Sequence, residues 1–348
     1  MKTATATNLL VALASGVAAA NVSTTKVGLG WGAGKADVSQ FLQAGTVSWY
    51  YLWTENDWVK YPGLEFVPML WGERDVQNFT ATINNTLAAS NVTHILGFNE
   101  PNLEDQSNLT PEKGAELWKA YIQPLKASHN LTLVSPVPTN GPTGTVWLQN
   151  FINVCGTDCT IDKIALHYYG TNASALIEYV QEVYEMFQKP IWMTEFACQS
   201  FVDSEDVATA EQISAFMNQT VEFFESTPYV ERYAWFGVRT EMPGMNPLNA
   251  LLDNDGHIDY LGLQYIGMGT WSSSSASNST SNTTDTADSQ TQNPNTAGSP
   301  TFVPDPDASG VSSEDQNGGW PFGGGVALSS SQASALAALL AGIAVLLL

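Results

Sequence analysis

Two short apolar stretches, each ending on a glutamate, decide how this chain is organised. The first reads Ile95-Leu96-Gly97-Phe98-Asn99-Glu100-Pro101-Asn102, and the second reads Ile191-Trp192-Met193-Thr194-Glu195-Phe196. Apolar runs of this length that contain β-branched and aromatic residues are typical of buried strands. Because a carboxylate at the end of a buried strand is costly unless something there uses it, both glutamates are candidate functional residues.

Eight strand candidates alternate with helical or loop segments along the chain. They are Lys26–Leu29, Thr46–Tyr50, Glu65–Leu70, His94–Phe98, Thr132–Ser135, Lys163–Tyr168, Ile191–Glu195 and Arg232–Phe236. Helical spacing occurs in Val76–Ser90, Pro111–His129, Ala175–Gln188, Asp206–Ser226 and Tyr260–Met268. This alternation predicts parallel βα units, and eight units predict an α/β fold, a single (β/α)8 TIM barrel rather than an open sheet.

Composition divides the 348 residues into distinct regions. Residues 1–20 join Lys2 to an apolar run with Ala18 and Ala20 in a small-x-small pattern, which predicts a secretory signal peptide; an ordinary N-terminal helix is the alternative. Residues 21–271 hold nearly all the aromatic and aliphatic content and form the predicted barrel domain. Residues 272–325 are rich in Ser, Thr, Asn, Asp and Pro, which predicts a disordered Ser/Thr-rich stalk.

The C-terminal residues 326–348 have the order of a lipid-attachment signal. A polar spacer follows the small residues Gly323-Gly324-Gly325 and precedes the uncharged end Ala335–Leu348. This order predicts a GPI-attachment propeptide, although Asn317-Gly318-Gly319 also fits as the attachment site. The apolar end is short for a transmembrane span, and a plain tail anchor is the alternative. We therefore expect a secreted protein that reaches the membrane only through a GPI anchor. We also expect a monomer.

Glycosylation signals and charge agree with a secreted route. Ten Asn-x-Ser/Thr sequons are candidate N-glycosylation sites: Asn21, Asn78, Asn84, Asn91, Asn108, Asn130, Asn172, Asn218, Asn278 and Asn282. The formal net charge is −22, from 34 acidic and 12 basic side chains. This charge argues against nucleic acid or any other polyanionic partner, and it suits a neutral substrate.

Three cysteines allow at most one internal disulfide. Cys155 and Cys159 flank Gly156-Thr157-Asp158, a tight turn that can bring them within bridging range. Cys198 is the odd one, and a buried unpaired cysteine is a more usual role for it than a reactive thiol. Few histidines accompany these cysteines, which argues against a zinc site, and we expect neither a metal nor an organic cofactor.

Aromatic and polar residues crowd the carboxyl ends of the predicted strands, where function gathers in such barrels. The candidate ligand-contacting residues are Trp31, Tyr51, Trp53, Trp71, Asn99, His167, Tyr168, Tyr169 and Trp235. Aromatic faces pack against the C–H faces of sugar rings while polar groups take the hydroxyls, so this pattern predicts a carbohydrate ligand. The alternatives are that several of these rings fill the core and that His167 is a hydrogen-bonded structural histidine.

Two carboxylates that face each other across a sugar site are the minimum apparatus for glycoside hydrolysis. One carboxyl group must be protonated so that it can donate a proton to the leaving oxygen. The other must be ionised so that it can attack the anomeric carbon or activate water. We expect Pro101 to favour an extended Glu100, and we expect Tyr168 or Tyr169 to donate a hydrogen bond to Glu195. The alternative for either glutamate is a structural ion pair.

These segments resemble the fungal glycosyl hydrolases of the alkali-sensitive-linkage type, which form glycoside hydrolase family 128. The resemblance spans roughly residues 27–268 in order. It rests on Gly28–Trp31, Ser48–Trp53, Phe66–Gly72, Gly97–Asn102, Ile164–Tyr169 and Trp192–Ala197. It implies a retaining (β/α)8 barrel in which Glu100 is the general acid/base and Glu195 is the nucleophile. It also implies that Asn99 lies near the sugar 2-hydroxyl and that Trp235 stacks on the sugar.

The resemblance further implies a partner and a location. The family acts on β-1,3-glucan, so we expect the protein to cleave this β-glucan polysaccharide of the fungal cell wall. Together with the attachment signal, this places the protein at the cell surface, GPI-anchored to the plasma membrane and/or the cell wall. Endo and exo action stay open, and a non-catalytic glucan-binding protein or a transglycosylase are the alternatives. In such a barrel Cys155 and Cys159 precede strand six at the bottom, whereas Cys198 follows strand seven at the top. This arrangement favours a Cys155–Cys159 disulfide.

Overall fold

Parallel strands connected by helices carry the fold of the computed structural model, which describes residues 25–269. The strands are β1 (Val27–Gly30), β2 (Val47–Tyr51), β3 (Glu65–Phe66), β4 (His94–Leu96), β5 (Thr132–Val134), β6 (Ile164–Gly170), β7 (Ile191–Cys198) and β8 (Val230–Trp235). Six form one sheet in the order β3-β2-β1-β8-β7-β6, and β4 and β5 form a second pair. Every strand pairing within these sheets is parallel, which confirms the predicted α/β class.

Backbone contacts connect the two sheets on both sides of the β4–β5 pair. Beyond β3, Met69 forms a parallel bridge with Leu96, and the Leu96 N–H donates to Pro68 O at 2.9 Å. Beside β6, Val134 forms a parallel bridge with Lys163, and the Ser135 N–H donates to Lys163 O at 3.0 Å. The pair β4–β5 therefore lies between the ends of the six-stranded sheet.

The helices follow the predicted order with one addition. They are α1 (Val76–Ala89), α2 (Pro111–Leu117), α3 (Gln123–His129), α4 (Gly144–Cys155), α5 (Ala173–Phe187), α6 (Ala210–Ser226) and α7 (Tyr260–Tyr265). The sequence predicted no α4, which starts at Gly144 after Thr143 without a side-chain cap. As expected, Thr110 caps α2 by accepting from the Lys113 N–H.

The predicted single helix Pro111–His129 is divided in the structure. A π-helical turn, Trp118–Ile122, separates α2 from α3. Pro124 lies in the first turn of α3 and has no N–H to continue the regular hydrogen-bond ladder, which is a usual cause of such a local change.

Buried side chains close the amino-terminal end of the strands. The Arg232 guanidinium lies 4.3 Å from the Trp192 ring centroid and pairs with the Glu65 carboxylate. The other Glu65 oxygen lies 2.8 Å from His94 Nδ1. Above this layer, a Cβ on Gly97 would lie 2.6 Å from Pro136 N, so only glycine permits this approach of the segments after β4 and β5.

The cysteine predictions hold in this fold. Cys155 and Cys159 form a disulfide, and Cys198 is unpaired and buried.

Several predictions concern residues that the structure does not describe. The signal peptide at 1–20, the stalk at 272–325, the attachment propeptide at 326–348 and the sequons at Asn21, Asn278 and Asn282 lie outside residues 25–269. The seven other sequon asparagines are all exposed, namely Asn78, Asn84, Asn91, Asn108, Asn130, Asn172 and Asn218. Across the described range, no helix has the length and apolar character needed to cross a membrane.

Candidate active site

Glu195 lies inside β7, and two side-chain donors hold its carboxylate. The Trp53 indole Nε1–H donates to Oε1 at 2.6 Å, and the Tyr169 hydroxyl donates to Oε2 at 2.5 Å. Both oxygens of the Glu195 side chain therefore accept a hydrogen bond from a neutral donor. Of the two tyrosines that the sequence offered as partners, Tyr169 is therefore the one that contacts Glu195.

Both donors are themselves fixed by neighbouring groups. The Asn140 side chain accepts from the Tyr169 N–H at 3.2 Å and donates to the Tyr169 carbonyl at 3.1 Å. Phe201 packs edge-on against the Tyr169 ring, with 5.2 Å between ring centroids. Trp53 has a backbone φ of +55°, a conformation that non-glycine residues adopt rarely, and its ring packs edge-on against Phe236 at 5.8 Å. The surrounding structure thus aims two donors at one carboxylate.

Glu100 lies four residues beyond the end of β4, in an unusual backbone conformation. Its φ is +40°, so the expectation that Pro101 would hold it extended is wrong. The Glu100 N–H donates to Val137 O at 2.7 Å, and the Glu100 carbonyl accepts from the Leu103 N–H at 3.0 Å. These two backbone hydrogen bonds override the modest local bias of the following proline. Backbone strain of this kind concentrates at functional sites.

His167 joins the two glutamates. Its Nδ1 lies 2.9 Å from Glu100 Oε1, and its Nε2 lies 3.3 Å from Glu195 Oε1. One ligand-capable atom from each of these three residues lies within 4.8 Å of the other two. Although they are far apart in sequence, Glu100 and Glu195 therefore face one site. The His167 side chain is only 1% exposed and lies between the two carboxylates. Its Nδ1 is paired with Glu100, whereas its Nε2 forms no hydrogen bond with any residue in the described range.

Burial and mutual charge set the protonation of this triad. Burial raises the pKa of Glu100 above that of an ordinary glutamate, although the His167 hydrogen bond and charge oppose the rise. Burial alone lowers the pKa of His167, but the charges of Glu195 and Glu100 outweigh it and raise the pKa above its usual value. The site thus contains a carboxyl group that holds its proton more tightly beside a carboxylate that accepts hydrogen bonds.

Asn99 adds a polar side chain next to Glu100. Its Nδ2 donates to Gln106 Oε1 at 3.1 Å. Its Oδ1 is buried and accepts no hydrogen bond from any residue in the described range. Since buried polar atoms are normally satisfied, this oxygen is a candidate acceptor for a ligand hydroxyl.

Trp235 and Tyr168, two of the predicted ligand-contacting aromatics, face away from the glutamates. Trp235 is fully buried, donates its indole N–H to Asn249 O at 2.9 Å and packs against Phe216 of α6. Tyr168 donates to Asn172 O at 3.3 Å and packs against Tyr179 of α5. Successive strand residues point to opposite faces, so the neighbours that reach the site are Tyr169 and Phe236. The expectation that Trp235 and Tyr168 contact the ligand is therefore wrong.

Trp31 likewise packs away from the carboxylate pair. Its ring lies edge-on to Phe41 at 6.0 Å, and its indole N–H donates to Gly34 O at 3.2 Å. Trp31 is only 2% exposed, so the prediction that it contacts the ligand is wrong. A core role is what the alternative interpretation of these aromatics anticipated.

Tyr51 and Trp71, two further predicted ligand contacts, are both buried. Tyr51 is 1% exposed, and its hydroxyl donates to Thr194 O at 2.8 Å, one residue before Glu195. Its ring lies 4.7 Å from that of Trp53, so Tyr51 supports the donor rather than facing solvent. Trp71 is 4% exposed, with the Arg74 guanidinium 3.6 Å above its ring.

A cavity lies beside the Tyr169 side of the site. It has a volume of about 600 Å³ and is lined by the loops after β7 and β8, with Phe201, Asp206 and Asn246 among the lining residues. Phe201 connects it to Tyr169 and hence to Glu195. A second cavity, of about 630 Å³, lies among residues of α1 and α2 and has no glutamate of the pair in its lining.

Sequence reasoning did not single out several residues of the site. Phe236 packs on both Trp53 and Tyr169, and Asn140 clamps the Tyr169 backbone. The guanidinium of Arg239 lies 5.1 Å from the Phe236 centroid. The only available signal for Arg239 was its position just after strand eight in a chain with few basic residues.

Comparison with known proteins identifies the family. The family model described as glycosyl hydrolase catalytic core matches residues 28–265. This chain belongs to the glycosyl hydrolase catalytic core family. The resemblance to glycoside hydrolase family 128 is thereby confirmed, with support from a curated relative and from solved structures.

A curated relative matches more than two thirds of this chain. Alkali-sensitive linkage protein 1 of Schizosaccharomyces pombe is 31% identical over 246 residues, which are 69% of this chain and 44% of that protein. The chain thus spans less than half of that relative.

Two solved structures of family 128 are similar over their full length. A curdlan-specific exo-β-1,3-glucanase from Blastomyces gilchristii, in complex with glucose, is 29% identical with a TM-score of 0.58, covering 71% of this chain and 100% of that one. A variant endo-β-1,3-glucanase from Amycolatopsis mediterranei, in complex with laminaripentaose, is 28% identical with a TM-score of 0.59, covering 70% and 100%.

Proposed function

We propose that this chain is a retaining glycoside hydrolase that cleaves β-1,3-glucan of the fungal cell wall. One observation carries the proposal: Glu100 and Glu195 come from distant strands and meet at His167, with one carboxyl oxygen of each within 4.8 Å of the other. Retaining enzymes hold their carboxyl groups about 5–5.5 Å apart, whereas inverting enzymes need about 6.5–9.5 Å to admit a water molecule. The short separation favours retention.

The two glutamates have different roles in this mechanism. Glu195, ionised and held by Trp53 and Tyr169, attacks the anomeric carbon and forms the glycosyl-enzyme bond. Glu100, whose pKa is raised by burial, gives its proton to the departing glycosidic oxygen. Glu100 then removes a proton from water, which attacks the same carbon and releases Glu195. No metal or organic cofactor enters these steps.

The substrate class is supported by the neighbours and by the shape of the site. The similar structures include β-1,3-glucanases of both the exo and the endo type. The buried Asn99 Oδ1 can accept a bond from a sugar hydroxyl next to Glu100. The cavity beside Phe201 offers an aromatic edge and polar groups of the kind that hold a glucan chain.

The proposal includes the wider architecture. We infer that the eight strands close into one (β/α)8 barrel, an inference supported by the bridges from Met69 to Leu96 and from Val134 to Lys163. A secreted, glycosylated protein with a domain at 21–271, a Ser/Thr-rich stalk and a GPI anchor at the cell surface accords with the sequence signals.

The test is to incubate the secreted protein with laminarihexaose and to size the products. We expect shorter laminari-oligosaccharides, with glucose or laminaribiose alone indicating exo action and a mixture of internal fragments indicating endo action. Glu195→Gln should lose turnover by a factor on the order of 10³ or more. The matched control Glu222→Gln, at an exposed position of α6, should cleave like the unmodified protein.

The remaining outcomes separate the alternatives. Binding of laminarihexaose without any product would replace the hydrolase with a glucan-binding protein. Products longer than the starting oligosaccharide would identify transglycosylation. Unchanged turnover in Glu195→Gln would remove Glu195 from the reaction.

A further inference from the structure

The cavity between the loop after β7 and the segment after β8 lies one aromatic ring away from the glutamate pair. Its lining comes from Cys198 at the end of β7, from the loop that follows, and from residues 244–247 beyond β8. Its volume of about 600 Å³ falls in the range that small-molecule sites occupy. Both segments follow the carboxyl ends of parallel strands, so the cavity lies at the end of the sheet where β7 carries Glu195.

Phe201 connects this cavity to the candidate active site. Its ring lines the cavity and packs edge-on against Tyr169, with 5.2 Å between the ring centroids. The Tyr169 hydroxyl in turn donates to Glu195 Oε2 at 2.5 Å. Two side chains therefore separate the cavity from the glutamate, a separation that a chain of several sugar units held at Glu195 can span.

Hydrogen bonds between elements hold the loop after β7 in place. Gln199 Oε1 accepts from the Asn246 N–H at 2.7 Å, and Ala208 O accepts from Asn246 Nδ2 at 2.7 Å. Thr171 Oγ1, just beyond β6, donates to Asp206 Oδ2 at 2.6 Å. The wall of the cavity is thus held from both neighbouring strands. A wall that is already fixed loses little conformational entropy when a ligand binds.

The lining combines exposed apolar side chains with polar groups of one charge sign. Val202 is 79% exposed and Val207 is 65% exposed, and such solvent-facing apolar side chains beside a cavity mark interaction sites. Asp203 and Asp206 add carboxylates, which accept several hydrogen bonds each. Among the described residues that line the cavity there is no Lys, Arg or His. This chemistry disfavours an anionic ligand and suits a neutral one that has apolar faces and many hydroxyl groups.

We propose that this cavity is an accessory binding site for a β-1,3-glucan chain, and that it holds the part of a long chain that extends beyond Glu195. The choice of β-1,3-glucan as the ligand rests on the proposed function. Phe201, Val202 and Val207 contact the C–H faces of the sugar rings, while the carboxylates accept hydrogen bonds from the hydroxyls. The protein therefore binds long chains more tightly than short ones.

Calorimetry on the full secreted chain tests this site, with Glu195→Gln present in every protein to prevent cleavage. The probes are laminaritriose and laminarihexaose, and the quantity compared is the ratio of their dissociation constants. Adding Val202→Ser and Val207→Ser together removes the exposed apolar contacts without disturbing a buried residue. We expect this change to weaken the binding of laminarihexaose and to reduce the preference for the longer chain about tenfold.

Two further variants accompany the valine pair. Thr171→Val removes the hydroxyl that holds Asp206 and should reduce the preference for laminarihexaose in the same direction. Val146→Ser, at a 58% exposed position of α4, is the matched control and should leave the preference unchanged. Circular dichroism and thermal unfolding establish that each variant is folded.

The outcomes separate this inference from the proposed function. An unchanged preference in the folded valine variant overturns the accessory site, and cleavage of laminarihexaose by the unmodified protein would then still support the hydrolase. If the unmodified protein cleaves nothing but its binding depends on the two valines, the hydrolase fails and the site stands.

Other glycans serve as probes for the assigned ligand. Cellohexaose or chitohexaose binding that is as tight as that of laminarihexaose, and equally sensitive to the valine variant, overturns the assignment to β-1,3-glucan. A reduced preference in the valine variant, with an unchanged one in Val146→Ser, supports the inference.

Discussion

His167 Nδ1 lies 2.9 Å from Glu100 Oε1, and this contact opposes the effect of burial on the acid. Burial raises the pKa of Glu100, while the hydrogen bond and charge of His167 lower it. In the proposed mechanism, the loss of activity at high pH reports the loss of the Glu100 proton. Removing His167 should therefore shift the high-pH decline of activity, the basic limb of the pH profile, to higher pH.

The variant His167→Asn tests this relationship through the pH profile of kcat/KM for laminarihexaose. We expect the basic limb at higher pH than in the unmodified protein, together with a lower maximum. His129→Asn, at an exposed position in the last turn of α3, is the matched control and should leave the profile unchanged. A basic limb that stays in place or moves to lower pH would contradict the coupling.

The donors on Glu195 give a second prediction. Trp53→Phe and Tyr169→Phe each remove one hydrogen bond to the carboxylate and keep an aromatic ring. A hydrogen bond to a charged group contributes about 1.5–3 kcal/mol, so kcat/KM should fall about 10- to 100-fold in each variant. Tyr184→Phe, in a ring pair with Tyr229 on a half-buried surface, should match the unmodified protein. Full activity in both donor variants would show that Glu195 does not depend on them.

The acid stability of the fold depends on Glu65 at the opposite end of the strands. Burial alone would raise the pKa of Glu65, but His94 and Arg232 outweigh it and lower the pKa to about 2. A carboxylate whose pKa is lowered by folding stabilises the fold at pH values above its unfolded-state pKa. This stabilisation is lost as the pH falls toward the folded-state pKa. Glu65 thereby contributes about 3 kcal/mol to the free energy of unfolding at neutral pH.

Thermal unfolding at a series of pH values measures this contribution. The melting temperature of the unmodified protein should drop as the pH falls from about 4.5 to about 2. Glu65→Gln should melt lower at neutral pH, and its difference from the unmodified protein should shrink across that range. Glu178→Gln, at an exposed position of α5, should follow the unmodified curve. An equal difference at every pH would rule out Glu65 as the source of the acid sensitivity.

The sequence predicted where the strands and the two glutamates lie, because apolar runs and the polar residues at their ends can be recognised without knowing how the side chains pack. It did not predict which face of a strand each aromatic occupies. The pairing register shifts between Leu166 and His167, and between Met193 and Phe196. Both shifts insert an extra residue into β7, so they change the phase of the side-chain alternation in the strand that carries Glu195. In β6 and β8 the ordinary alternation turns Tyr168 and Trp235 to the helices and lets Tyr169 and Phe236 reach the site.

Other features of the site depend on tertiary contacts that no local pattern encodes. The positive φ of Glu100 is held by Val137 beyond β5, whereas the adjacent Pro101 pointed to an extended conformation. Arg239 reaches Trp53 only because Gly32, far away in sequence, leaves space for it. The family resemblance supplied the roles of the glutamates, and the structure adds the residues that support them.

Peptide mapping by mass spectrometry after trapping with 2-deoxy-2-fluoro-β-laminaribiosyl fluoride tests the central claim most directly. The reagent leaves its sugar on the nucleophile of a retaining enzyme, because the fluorine slows the second step. We predict one adduct per chain, on the peptide that contains Glu195. An adduct on a different residue, or rapid hydrolysis of laminarihexaose with no adduct at all, would contradict the account.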